Sequence, residues 1–103
     1  MIPYSRQHLF SEDIKKVIKV LKSNFLTQGP QVEKFEKKIG KNCNSKYVVA
    51  LNSATSGLHL TCLALGLKKN DYLWTVPITF IASANCGLYF GSKIDLVDID
   101  TQT

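Results

Sequence analysis

The chain holds 103 residues with 45% apolar and 20% charged side chains, the composition of an ordinary globular protein and not of a collagen-like, mucin-like or disordered one. Its 11.5 kDa leave room for one domain or part of one, and too little for two independent cores. The net charge of +5 raises the question of a nucleic-acid partner, but eight of the twelve lysines lie between residues 15 and 41, without Arg and with only Phe25 and Phe35 as aromatics. They read as the solvated faces of helices, so no nucleic-acid partner is expected. No run approaches the roughly 18 apolar residues of a membrane span, and the first six residues lack the apolar core of a signal peptide. The expected location is the cytoplasm, away from membranes. Cys43, Cys62 and Cys86 are odd in number and include no CxxC pair, which predicts reduced thiols and no metal site.

In chain order, Ser11 supplies an N-cap and Glu12 and Asp13 first-turn acids, while Ile14, Val17, Ile18 and Leu21 recur at the spacing of one helical face. A first helix over about 12–22 follows. Residues 23–30, ending in Gly29-Pro30, read as a loop. Pro30 opens a second helix that carries Val32, Phe35 and Ile39 inward, with Gly40 as its C-terminal cap. Tyr47-Val48-Val49-Ala50-Leu51 is a β-prone apolar run, the pattern of a strand covered on both faces. Ala54, Leu58, Cys62 and Leu65 line one side of a third helix that Gly66 closes. A strand over Tyr72–Val76 stops at Pro77, a helix over about 79–89 stops at Gly91, and Lys93–Ile99 alternates as a strand with one wetter face.

The prediction is an α/β fold: two helices, then β-α-β-α-β with parallel strands. Three parallel strands leave exposed edges and poorly covered faces, so the chain is expected to be the N-terminal part of a larger protein.

Ligands of open α/β sheets bind beyond the carboxyl ends of the strands. There, Asn52-Ser53-Ala54-Thr55-Ser56 opens a helix with small and hydroxyl side chains, presenting bare amides and the positive dipole end to an anion such as a phosphate. The plainer alternative is that Ser53 and Thr55 only cap the helix. Phe80 is placed to stack on a planar ligand, although spacing alone favours a core role. His59 has no nucleophile beside it and reads as a packed helix residue. Asp95, Asp98 and Asp100 read as a solvated face.

As a set, Tyr4-Ser5, Leu26-Thr27-Gln28-Gly29-Pro30, Val32-Glu33-Lys34-Phe35-Glu36, the run Asn52–His59, the run Pro77–Asn85 and Val97-Asp98-Ile99-Asp100 resemble the start of the DegT/DnrJ/EryC1/StrS sugar aminotransferases in order and spacing. The resemblance implies the type I fold of pyridoxal-phosphate (PLP) enzymes, with residues 1–40 as a helical segment and substrate loop and residues 41–103 as the first part of the PLP-binding large domain. It also implies the reaction: an amino donor, typically glutamate, charges the cofactor with an amino group, which passes to C4 of a nucleotide-linked 4-keto-6-deoxy sugar of surface glycans such as pseudaminic acid. By motif position it puts Ala54 and Thr55 at the cofactor phosphate and Phe80 against the pyridine ring. Tyr4, Asn24, Phe25, Leu26, Thr27 and Ala54 would line the sugar-nucleotide site. Family sites are shared in a homodimer, and the lysine that bonds to the cofactor lies later in family sequences, so this piece alone is expected to be inactive. A non-catalytic relative with a regulatory or structural role is the other reading of the same residues.

Overall fold

The computed structural model describes residues 5–102. Its elements are α1 (Ser11–Leu21), α2 (Pro30–Cys43), α3 (Ala54–Ala64), β1 (Tyr72–Thr75), α4 (Ala82–Leu88) and β2 (Lys93–Leu96). They fall into two compact units, Met1–Ala50 and Leu51–Thr103. Among the described residues, no helix is long and apolar enough to cross a membrane.

In the first unit α1 begins one residue earlier than the pattern predicts. Phe10, not Ser11, holds the N-cap position, because the Asp13 carboxylate reaches back to accept the Phe10 amide at 3.1 Å. Pro30 opens α2 as expected, its missing N–H costing nothing in a first turn. Gly40, however, is not the cap. The helix runs on to Cys43, and Asn44 adopts the left-handed conformation (φ 51°) that ends it, while the Ser45 amide returns to the Gly40 carbonyl at 2.8 Å. On the outer surface Lys37 pairs with Glu33 four residues before it, and that hydrogen bond and charge hold the Glu33 carboxyl below its ordinary range.

The apolar stripes of α1 and α2 are not buried. Ile14, Val17, Leu21, Val32 and Phe35 are all exposed, against the inward placement expected of Val32 and Phe35. The reason is geometric: among the described residues α1 and α2 do not pack on one another, and an amphipathic face needs an opposing surface. Tyr47–Leu51 departs from expectation in the same way. Its residues join no sheet, and Tyr47, Val49 and Leu51 are exposed while Val48 and Ala50 are half-buried. β-propensity is satisfied only by a neighbouring strand, and here the Ala50 amide donates instead to the Glu36 carboxylate of α2 at 2.8 Å.

The second unit contains one β-α-β motif. β1 and β2 are parallel, with Tyr72 opposite Lys93 and Thr75 opposite Leu96. So two strands pair where three were expected, and β2 ends at Leu96 rather than Ile99. α3 and α4 enter their following strands by the same device. Gly66 (φ 72°) and Gly91 (φ 71°) take up the left-handed conformation just past the two helices. Around them the Leu67 and Ser92 amides return to the Cys62 and Gly87 carbonyls, and the Gly66 and Gly91 amides to those of Leu63 and Leu88. Both glycines were predicted helix stops.

α4 packs on α3 and on both strands. Its contact with the sheet is close: a Cβ at Gly87 would fall 2.8 Å from Ile94 Cδ1 and 3.2 Å from Leu73 Cβ, so only a bare Cα fits between these side chains. Ala82, Cys86 and Gly87 of α4 and Cys62 of α3 are buried at this junction. The opposite sheet face is open, with Trp74 71% exposed. The chain as a whole exposes 9535 Å². Two separate compact domains of about half its mass would together expose roughly 7,000 Å².

All three cysteines are free. Burial, then the neighbouring Cys86 thiol, pushes the Cys62 thiol above its ordinary range. Its thiolate fraction at pH 8 therefore lies below that of an unperturbed thiol, and steric closure protects Cys86 as well. Iodoacetamide at pH 8 is expected to modify Cys62 and Cys86 only after denaturant is added, as read by peptide mass spectrometry. Equal rates in native and denatured protein would contradict this packing.

Candidate functional site

The N-terminus of α3 is built by one serine. Ser53, extended at φ −159° and ψ 157°, turns its hydroxyl back to accept the Ser56 amide at 3.2 Å, and its carbonyl accepts the Gly57 amide at 3.1 Å. Ser56 adds a hydroxyl contact to Ser53 at 3.0 Å. Of the amides at this end that lack an intrahelical acceptor, that of Ser56 is thereby paired, and the Gly57 bond is the first regular one of the helix. Those of Ala54 and Thr55, with the Thr55 hydroxyl, have no partner among the described residues. These two residues are exposed, and the first turn carries no acidic side chain. Bare donors, small side chains, the positive end of an 11-residue helix and the absence of a repelling carboxylate make a donor set that fits a phosphate group. Ser53 thus caps the helix, as the plainer reading expects, and Thr55 takes no part in that cap.

Phe80 lies between the carboxyl end of β1 and the start of α4, with its carbonyl accepting the Ser83 amide at 3.0 Å. Phe80 is 73% exposed in this chain, where spacing alone favours a core role. It shares the second unit with Ala54 and Thr55. Asn24, Phe25, Leu26 and Thr27 form the exposed connection between α1 and α2 in the first unit, followed by Gln28 at φ 48°. A left-handed backbone at a residue other than glycine costs on the order of 1 kcal/mol or more, which marks this connection as held in shape by its surroundings. Tyr4 lies outside the described residues.

His59 is exposed on α3, with its ring centroid 5.0 Å from that of Tyr89 and 5.3 Å from that of Phe90. Asp98 and Asp100 are occupied locally, accepting the Ile99 and Gln102 amides at 2.8 Å each, and Asp95 is exposed on β2. Among the described residues no three His, Cys, Asp or Glu side chains converge in a way that could hold a metal ion.

Sequence reasoning missed a cleft of about 400 Å³ beside the Phe80 loop, lined chiefly by apolar groups with Thr75, Thr79 and Asn85 as its polar members. Asn85, one of two polar residues in α4, is the signal that could have found it. A larger groove of about 700 Å³ runs between α2 and residues 44–49 within the first unit.

A parallel β-α-β motif whose preceding helix offers bare amides, with an aromatic at the strand end, belongs to the N-terminal part of the type I fold of PLP-dependent transferases. Spr1654 of Streptococcus pneumoniae, a candidate sugar aminotransferase solved in its PLP form, superposes with a TM-score of 0.93 at 28% identity over 99% of this chain and 26% of its own. Its PMP form superposes with a TM-score of 0.92. The pattern of the DegT/DnrJ/EryC1/StrS aminotransferase family matches residues 7–103, and the chain belongs to that family. It is 43% identical over 99 residues to the UDP-4-amino-4,6-dideoxy-N-acetyl-β-L-altrosamine transaminase of Campylobacter jejuni subsp. jejuni serotype O:23/36, covering 96% of this chain and 26% of the relative. To the spore coat polysaccharide biosynthesis protein SpsC of Bacillus subtilis it is 36% identical over 102 residues, covering 99% and 26%. The chain thus spans about a quarter of the length of the curated relatives it matches.

Replacing the capping hydroxyl, Ser53→Ala, is expected to lower the stability of the protein by about 1 kcal/mol through loss of the Ser56 amide's partner. Urea unfolding read by circular dichroism checks this; an unchanged midpoint would mean that water caps the helix equally well.

Proposed function

We propose that this chain is the opening part of a PLP-dependent aminotransferase acting on a nucleotide-linked 4-keto-6-deoxy sugar. The observation that carries the reading is the first turn of α3, with two unpaired amides and no acidic side chain, in a chain of an aminotransferase family. When bound, PLP supplies the electron sink through which an amino group passes from donor to acceptor. The Ala54 and Thr55 amides and the Thr55 hydroxyl hold its phosphate by charge-assisted hydrogen bonds. Phe80 covers one face of the pyridine ring and keeps water from it. Tyr4, Asn24, Phe25, Leu26 and Thr27, with Ala54, contact the sugar nucleotide.

The name of the Campylobacter relative suggests the product: UDP-4-amino-4,6-dideoxy-N-acetyl-β-L-altrosamine, an intermediate of pseudaminic acid formation. Glutamate is the amino donor in this reading, the enzyme is a cytoplasmic homodimer, and residues 41–103 begin its PLP-binding domain. The lysine that bonds to the cofactor is then supplied by chain outside these 103 residues. The open sheet face at Trp74 and the bare stripes of α1 and α2 favour the same view, since such surfaces need further chain or a second subunit to cover them.

In the full-length protein, Thr55→Ala is expected to weaken PLP retention by about ten- to a hundredfold or more, the equivalent of about 1.5–3 kcal/mol for one hydrogen bond to a charged group. Dialysis followed by cofactor absorbance measures this, and undiminished retention would remove Thr55 from the site. Phe80→Ala is expected to shift that absorbance or loosen the cofactor; a spectrum and affinity equal to wild type would rule out stacking.

A further inference from the structure

We infer that Ser23 and Gly29 are positioning residues that hold the connection between α1 and α2 in one shape, ready to receive a sugar nucleotide. The inference rests on the proposed role of Asn24–Thr27 in binding that substrate. The Ser23 hydroxyl donates to the Val20 carbonyl in the last turn of α1 at 2.7 Å and accepts the Phe25 amide at 3.3 Å. One side chain therefore ties the start of the connection to the end of the helix. At the other end Gly29, the N-cap residue of α2, passes directly beneath Phe25. A Cβ at position 29 would lie 2.8 Å from Phe25 Cβ and 3.4 Å from the Phe25 carbonyl oxygen. The requirement for glycine is steric, since its own φ of −79° suits any residue.

Phe25 is thus held by a hydrogen bond at its amide, the space beside its Cβ leaves no room for a side chain at position 29, and the chain between the two residues carries the left-handed Gln28. The Phe25 and Leu26 side chains project into solvent from this closed turn. A loop ordered before binding does not lose that order as a cost of association, so its anchors act on substrate affinity without touching substrate. Neither Ser23 nor Gly29 takes part in the α3 turn proposed to hold the cofactor.

The test uses full-length enzyme with bound PLP and the variants Ser23→Ala, Gly29→Ala and Ser23→Thr. Affinity for UDP-4-amino-4,6-dideoxy-N-acetyl-β-L-altrosamine is measured by calorimetry, and the half-reaction with L-glutamate by cofactor absorbance. Ser23→Ala and Gly29→Ala are expected to weaken the UDP-sugar about tenfold, the scale of one lost hydrogen bond or a small displacement, while PLP content and the glutamate half-reaction stay within about twofold of wild type. Ser23→Thr, which keeps the hydroxyl, is expected to restore affinity. Wild-type affinity in both Ser23→Ala and Gly29→Ala overturns the proposal alone. Wild-type enzyme that reacts with glutamate yet does not bind the UDP-sugar overturns the sugar reading and the proposal with it.

Discussion

The close approach of α4 to the parallel strands is the constraint on which the second unit depends. Gly87 lets the helix backbone settle between Leu73 and Ile94, and the small residues Ala82 and Cys86 on the same helix bury themselves alongside Cys62 of α3. Bulk at these positions would push α4 outward and uncouple α3 from the sheet. Because α3 is held in this way, its N-terminal turn is presented from a packed element rather than from a free segment. The two left-handed glycines matter for the same reason. Gly66 and Gly91 return the chain sharply from α3 into β1 and from α4 into β2.

Capping leaves part of the α3 turn open. One serine uses its hydroxyl and its carbonyl on the third and fourth amides, and the first two have no partner among the described residues. A turn capped by a carboxylate would satisfy the same amides but repel an anion. A serine cap therefore stabilises the turn without placing a negative charge there, and neighbouring alanine and threonine keep the side chains small.

Much of this was legible in the residues. Helix starts and stops at Pro30, Gly66 and Gly91, the parallel β-α-β unit and the small-residue turn after Asn52 all follow from short-range chemistry: fixed φ at proline, free φ at glycine, and side chains that compete for nearby amides. The errors share a cause. Tyr47–Leu51 has the composition of a buried strand, and Val32 and Phe35 the spacing of a buried face, yet both need partners that no local pattern supplies. Gly40 and Asn44 competed for one capping position, and only the path of the returning chain at Ser45 decided between them.

By itself, then, the sequence determined the four helices, two of the three expected strands with their order and parallel sense, and the small-residue turn that opens α3, because each depends on torsional preferences and hydrogen bonds within a few residues. Tertiary structure alone decided that Phe80 is exposed in this chain, that His59 meets Tyr89 and Phe90 at a steep ring angle, and that Gly29 passes beneath Phe25. Those outcomes depend on which surfaces meet in space, and contact between distant segments has no signature in the periodicity of either one.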